Sequence, residues 1–438
     1  MKEAFFDLAG ALTRELRGDE VLLSELAAER SDFVRFNRGR VRQPGSVEQR
    51  YLSLRLVRER RQASATLAIR GGSGDLEHAR AALDRLRDAV ATLPEDPWLL
   101  IAETPHSSDS VRRGALAPAE IVTERVVERA NGHDLVGIYA AGTIYQGFAN
   151  SYGQRNWHEI DTFNLDWSLH LEADKAVKSG YAGFDWDESV FETKLESAKE
   201  QLALLARPRR TIEPGEYRSY LTPRALEELA GMISWGGFSA RARATRQSPL
   251  LRMEYGETLA SCVTFRENTA EGVAPEFQDE GFVKPPSVTL IDAGKLGEPL
   301  VSPRSAKEYG LTPNGADAAE SPESLDMAGG ALPVTDALVA LDTGLYIANL
   351  WYLNYSDRPA GRITGMTRFA TFWVEDGRIL APVNAMRFDD SIYRMLGDHL
   401  VDLTRERELL LDSSTYEARS TRSMRLPGAL LRALKFTL

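Results

Sequence analysis

Hydrophobic residues recur every three to four positions along Lys2–Arg17, where Phe5, Phe6, Leu8, Leu12 and Leu16 form the stripe of a predicted helix. Glu20–Arg30 reads as a second helix. The period then drops to two. SDFVRFNRGRVRQ reads as two short strands about Asn37-Arg38-Gly39, and Tyr51–Glu59 with Ala63–Arg70 as another pair, Leu52, Leu54 and Leu56 facing one way. Gly71-Gly72-Ser73-Gly74 breaks the chain, and Asp75–Leu93 returns to helix with Leu83, Leu86 and Val90 inward.

After a polar connector over Pro94–Gly114, Pro118–Ala130 is a predicted helix. LVGIYAAGTIYQGFANS and NWHEIDTFNLDWSLHLEA are predicted strands. The second alternates from Thr162, with Phe163, Leu165, Trp167 and Leu169 on one face and Thr162, Asn164, Asp166, Ser168 and His170 on the other. Asp187–Ala206 is a long amphipathic helix, and Arg207–Glu216 reads as a linker.

The second half opens with a strand over Glu216–Tyr220 that feeds YLTPRALEELAGM. Thr222 is the predicted N-cap and Pro223 the first helical residue, where a missing N–H costs nothing. Leu226, Leu229, Ala230 and Ile233 recur at helical spacing, and Gly236-Gly237 ends the run. Strands follow over Leu259–Phe265, Ser287–Ala293, Leu345–Tyr355, Arg368–Glu375 and Arg378–Met386, the last two joined at Asp376-Gly377. Thr312–Pro333 reads as a long loop without a core-forming pattern. The fold class is α+β: an N-terminal helix and antiparallel-strand domain (1–94), a central strand and helix domain (95–215), and a larger β-rich C-terminal domain with the motif helix (216–438).

The chain has 438 residues, a single cysteine (Cys262) and a net charge of −11. One cysteine excludes an intrachain disulfide and any CxxC metal site. The charged, amphipathic N-terminus lacks the apolar segment of a signal peptide, and no apolar run approaches the roughly 20 residues of a membrane span, so a cytoplasmic protein is expected. Charge is uneven: Arg30–Arg70 holds eleven arginines against Asp32, Glu48 and Glu59, a balance of +8 that leaves −19 for the remainder. Such a run suits nucleic acid or an acidic partner; alternation with apolar residues favours the wet face of a sheet, and nucleic acid is not the expected partner.

Candidate chemistry is sparse. A zinc-peptidase helix needs two imidazoles and an adjacent carboxylate, whereas this helix reads Glu227-Glu228-Leu229-Ala230-Gly231-Met232. No two of the six histidines lie three to five residues apart. His158 and Asp161 fall on opposite strand faces by alternation, while His170 and Asp166 share one but stand more than about 10 Å apart at roughly 3.3 Å per residue. There is no G-x-S-x-G elbow, no S-x-x-K pair and no phosphate loop. Cys262, within LASCVTF, reads as a small core residue.

The order of segments resembles the TldD/PmbA (TldE) family of metallopeptidase-related proteins. The matching stretches run from SDFVRFNRGRVRQPGSVEQRYLSLRLV through RSYLTPRALEELAG, LLRMEYGETLASCVTFREN, PEFQDEGFVKPPSVTLIDAGKL, DTGLYIANLWYLNYS and TGMTRFATFWVEDGRILAPVNAMRFDDSIYRML to SMRLPGALLRAL. The family's catalytic member carries His-Glu-x-x-x-His and a later cysteine. Set against that motif, Glu227 and Met232 replace the histidines, Glu228 keeps the acid, and no cysteine follows Cys262. The resemblance implies a TldE-type subunit with no catalytic residue, metal or cofactor of its own. Zinc is then expected in a TldD-type partner, in a heterodimer that takes extended, unfolded or modified peptides; a homodimer is the other assembly. Strand addition at Leu345–Tyr355 would hold such a peptide. Association is expected through Phe5, Phe6 and the Leu52–Leu56 strand, and through Leu350-Trp351-Tyr352-Leu353. The rival readings are an arginine-rich regulatory or nucleic-acid-binding module, and a stand-alone hydrolase with an unrecognised site.

Overall fold

A computed structural model of the chain describes residues 1–72, 74–172 and 175–437. Helix α1 (Lys2–Thr13) leads into three antiparallel strands, β1 (Val21–Asn37), β2 (Arg40–Arg58) and β3 (Arg61–Ala68), and then helix α2 (Gly74–Val90). Glu20–Arg30, expected as helix, is the first half of β1. That strand pairs with β2 on one side and with β5 (Asp134–Asn150) on the other. Leu22, Leu23, Leu26 and Ala28 are all buried, and a strand covered on both faces loses the two-residue alternation that would have marked it.

Strands β4 (Ser108–Arg112), β5, β6 (Arg155–Glu172) and β7 (Lys175–Gly183) complete a seven-stranded sheet in the order β3-β2-β1-β5-β6-β4, with β7 also on β6. The expectation placed a division at Pro94; the sheet is continuous across it. Helices α1 and α2 cover one end through Phe5, Leu12, Leu54 and Leu83. Helices α3 (Ala119–Arg129) and α4 (Glu188–Leu205) cover the other through Val122, Phe191, Phe163 and Trp167. The alternation read along β6 holds: Phe163, Leu165, Trp167 and Leu169 are at most 1% exposed.

The second sheet has eleven strands and is organised around helix α5 (Pro223–Ser234), which follows β8 (Gly215–Leu221). Strand β13 (Gly344–Asp357) pairs with β8 and β14 (Arg362–Glu375); β16 (Arg387–Ser391) joins β14 to β18 (Ser423–Phe436). Strand β18 returns to β8 and closes the ring, although β13 is paired with β8 only over Leu345–Ile347. Beyond β18 the sheet continues through β12 (Ser324–Met327), β9 (Phe265–Glu267), β10 (Val288–Asp292) and β11 (Lys295–Leu296), while β15 (Arg378–Pro382) and β17 (Leu400–Leu411) attach to β14 and β18. At Asp376-Gly377 both residues have positive φ (50° and 70°), the backbone of a two-residue hairpin turn.

Two other expectations fail here. Leu259–Phe265 is mostly irregular, with strand only from Phe265, and Cys262 lies in a turn against the core. Thr312–Pro333 contains the buried strand β12, which runs parallel to β18, so it is part of the sheet and not a cover. Four residues are too short a run for period to reveal. Among the described residues no helix is long and apolar enough to cross a membrane.

Most arginines of the Arg30–Arg70 run meet carboxylates, many from outside it: Arg55 pairs with Asp279 and Glu280, Arg58 with Asp19, and Arg60 and Arg61 with Glu95. Arg35, Arg38, Arg40 and Arg42 remain exposed at the hairpin end. Only part of the run is the wet face expected from alternation: the Arg55 side chain is largely buried, and residues 40–48 are exposed on both faces of β2.

Candidate functional site

The motif helix begins as its sequence dictates. Thr222 caps it by accepting from the Ala225 N–H at 3.2 Å, and Pro223 occupies the first position. Leu226, Leu229, Ala230 and Ile233 are at most 1% exposed and pack against Leu345, Ile347, Leu403 and Leu431 of the surrounding strands. The opposite face, with Arg224, Glu227 and Glu228, turns toward the first sheet.

There a charged cluster joins the two sheets. Arg224 Nη1 lies 3.7 Å from Glu227 Oε2, one turn along, and 3.7 Å from Asp166 Oδ2 on β6. Lys178 of β7 stands 3.6 Å from the same Asp166 oxygen, and Lys194 of α4 donates to Glu408 of β17 at 2.6 Å. Burial pushes the Glu227 carboxyl up to about 7, against the pull of Arg224, with Glu228 adding to the rise. Burial likewise raises Glu228, offset by Lys178. Gly180 makes the approach possible: a Cβ there would fall 1.9 Å from Arg224 Nη2.

The structure does not gather Glu227, Glu228 and Met232 into a ligand set. The helix is continuous, and five residues turn it by roughly 500°, so positions 227 and 232 point about 140° apart. Met232 joins the apolar core, and its carbonyl accepts from the Tyr355 hydroxyl. A zinc ion would need about three protein donors. The local donors are carboxylates with a guanidinium against them, so this helix does not fit the metal. Among the described residues no group of three histidines, cysteines or carboxylates could hold one.

The other candidates are dispersed. His158 is buried with Nε2 3.0 Å from the Val273 carbonyl, and burial lowers it to about 4, which keeps the ring neutral at pH 7. His170 lies on β6 opposite Asp134, and His399 Nδ1 sits 3.0 Å from the Ala433 carbonyl. Burial raises the Cys262 thiol, the reverse of an activated nucleophile. Sequence reasoning missed Arg224, Lys178 and Glu408. Only the i, i+3 spacing of Arg224 and Glu227 carried a signal; the rest of the cluster is assembled by the meeting of the two sheets.

Residues 214–438 match the family model of the PmbA/TldA metallopeptidase C-terminal domain, and the chain belongs to the TldD/PmbA family. No curated protein matches the sequence. Solved structures with the same fold include a Thermotoga maritima protein described as a candidate modulator of a DNA gyrase (TM-score 0.80, 16% identity, 100% of each chain covered). TldE from Thermococcus kodakarensis superimposes with a TM-score of 0.77 at 15% identity, over 99% of this chain and 100% of that one. A Bacteroides thetaiotaomicron protein, also described as a candidate modulator of DNA gyrase, gives 0.77 at 16% identity, over 100% of this chain and 98% of that one.

Proposed function

We propose that this chain is a non-catalytic, TldE-like subunit of a TldD/TldE-type metallopeptidase complex, cytoplasmic, acting on unfolded or modified peptides. The observation that carries the reading is Arg224 at the motif helix. A guanidinium 3.7 Å from Glu227 holds positive charge where a catalytic subunit would need a cation-binding face. Glu228 keeps the acid, yet a general base acts within about 3 Å of the water it deprotonates, and here no metal would activate that water. Zinc and hydrolysis then belong to a TldD-type partner. The likeness in fold to a protein named TldE supports the same assignment.

In this reading the chain shapes the chamber and holds substrate backbone. Strand β13 has β8 beside it only at Leu345–Ile347, so its second half keeps β14 as its single strand partner and presents its other side to an extended peptide. The test is reconstitution. Adding a TldD-type partner should generate cleavage of short unstructured peptides that neither chain performs alone. A mixture no more active than the partner by itself would refute the subunit reading.

A further inference from the structure

Strand β17 carries opposite charges on its two sides. Glu408 meets Lys194 and acts on Glu227 at the motif helix. Arg405 and Arg407, which alternate with it, line a polar cleft of about 370 Å³ bounded by β9 and β12. Strand β9 contributes Arg266, and the residues flanking it on either side, Thr264 and Asn268, line the same cleft.

The two carboxylates in this cleft are already engaged. Asp326 accepts from Arg407 through Oδ1 and from Asn268 Nδ2 through Oδ2 at 3.1 Å. Glu271 Oε2 accepts from Arg425 Nη1 at 3.0 Å. Arg266 stands directly across from Asp326 in the strand register, yet no carboxylate lies within ion-pair distance of it among the described residues. Among the described residues Arg405 has no such carboxylate either, and its guanidinium donates to the Ala331 carbonyl alone, at 3.4 Å. Two exposed guanidiniums without an ion-pair partner among the described residues thus line one cleft in a chain whose net charge is −11. Their forked donors match the geometry of carboxylate and phosphate oxygens.

We propose that this cleft is an anion site in which Arg266 and Arg405 hold a carboxylate or phosphate group. It lies on the face of β17 turned away from the motif helix and stands independently of the peptidase assignment.

Isothermal titration of the full chain with inorganic phosphate, and separately with N-acetyl-trialanine as free acid or amide, tests it. Saturable millimolar or tighter binding of phosphate or of the free-acid peptide is expected, with none of the amide. Binding of phosphate alone would mark a phosphate ester as the source, and binding of the free acid alone a peptide end. Arg266→Ala and Arg405→Ala should each weaken binding about tenfold, and the pair should abolish it. Arg266→Lys, which keeps the charge without the fork, should fall between. Neither side chain makes an ion pair, so the melting temperatures should hold. Absence of saturable binding to the wild-type chain overturns the proposal, as does wild-type affinity in the folded double variant.

Discussion

Arg224 on the first turn of the motif helix stands 3.7 Å from Asp166 on β6, which ties the core helix of the second sheet to the polar face of the first. Neither Arg224 Nε nor Asp166 Oδ2 has a hydrogen-bond partner among the described residues, so the contact is one of charge across a buried seam. One turn before the family's motif positions, an arginine within 3.7 Å of two carboxylates opposes any cation there.

The first prediction concerns metal. The isolated chain, stripped and reloaded with zinc, should retain no stoichiometric ion by elemental analysis. Arg224→Ala should not create a site, because removing the guanidinium supplies no imidazole or thiolate. One tightly held zinc per chain in either protein would contradict the reading of the site.

The second concerns pH. Burial raises Glu227 from 4.5 to about 7, so the folded chain keeps a proton that the unfolded chain releases over that interval. Stability from this group is therefore greatest below pH 4.5 and declines as pH rises to 7. Glu227→Gln cannot titrate and lacks that decline. The melting temperature of the variant should rise relative to wild type between pH 4.5 and pH 7. A constant difference would mean that the carboxyl titrates normally.

Much of the architecture is legible in the sequence because it rests on local rules. Thr222-Pro223 starts the motif helix, Asp187 caps α4 through the Ser189 N–H at 2.8 Å, and Asp376-Gly377 closes its hairpin. The failures share a cause. Val21–Arg30 has helix-forming leucines, alanines and glutamates, but pairing on both sides overrides propensity. Phe5 and Phe6 of α1 and Leu52, Leu54 and Leu56 of β2, expected at an interface, are internal core shared with α2. The site divides in the same way. The substitutions at 227 and 232 are visible in the chain, whereas Asp166, Lys178 and Glu408 reach the helix only through contacts distant in sequence.

The third prediction tests the segment expected to be a loop. Glu320 is wholly buried and accepts from the Arg241 and Ser302 N–H groups, both at 2.9 Å, and from the Ser239 and Ser302 hydroxyls. It thereby caps the starts of two short helices, Ala240–Ala244 and Pro303–Tyr309. Although burial opposes ionisation, these donors hold the carboxyl below its usual range. Its stabilisation is present above pH 4.5 and fades as pH falls through the lower folded value. Glu320→Ala should cost about 3 kcal/mol or more in denaturant unfolding at neutral pH, since several buried donors lose their acceptor. A loss within about 0.5 kcal/mol, the range of ordinary surface changes, would mean the cap is dispensable.

The fourth separates the two subunits. Glu228→Ala in this chain should leave the peptidase activity of a reconstituted complex nearly unchanged, while changing the corresponding glutamate of a TldD-type partner should abolish it. A large loss from the first substitution would place the motif face of this chain in the reaction. Circular dichroism of the variant distinguishes that outcome from misfolding.

The last prediction concerns association. Of the two apolar surfaces expected to mediate it, only the second is exposed. Trp351 is 45% and Tyr352 76% exposed, on a stretch of β13 where Tyr352 adopts φ +56° and the pairing with β14 shifts register. Leu350, one residue earlier, is buried, so the strand turns two large aromatic side chains outward instead of continuing its alternation. The Arg368 guanidinium stacks on the Trp351 ring at 4.0 Å, which fixes one of them in place. An ordered aromatic pair held out by a left-handed backbone has the character of an interface anchor. A stable interface buries more than about 1,000 Å², so the chain should sediment as a dimer alone or with its partner. Trp351→Ala with Tyr352→Ser should weaken that association at least about tenfold without lowering the melting temperature of the monomer. Unchanged sedimentation in the double variant would exclude this surface, and a wild-type chain that stays monomeric even beside a TldD-type partner would remove the basis for the subunit assignment.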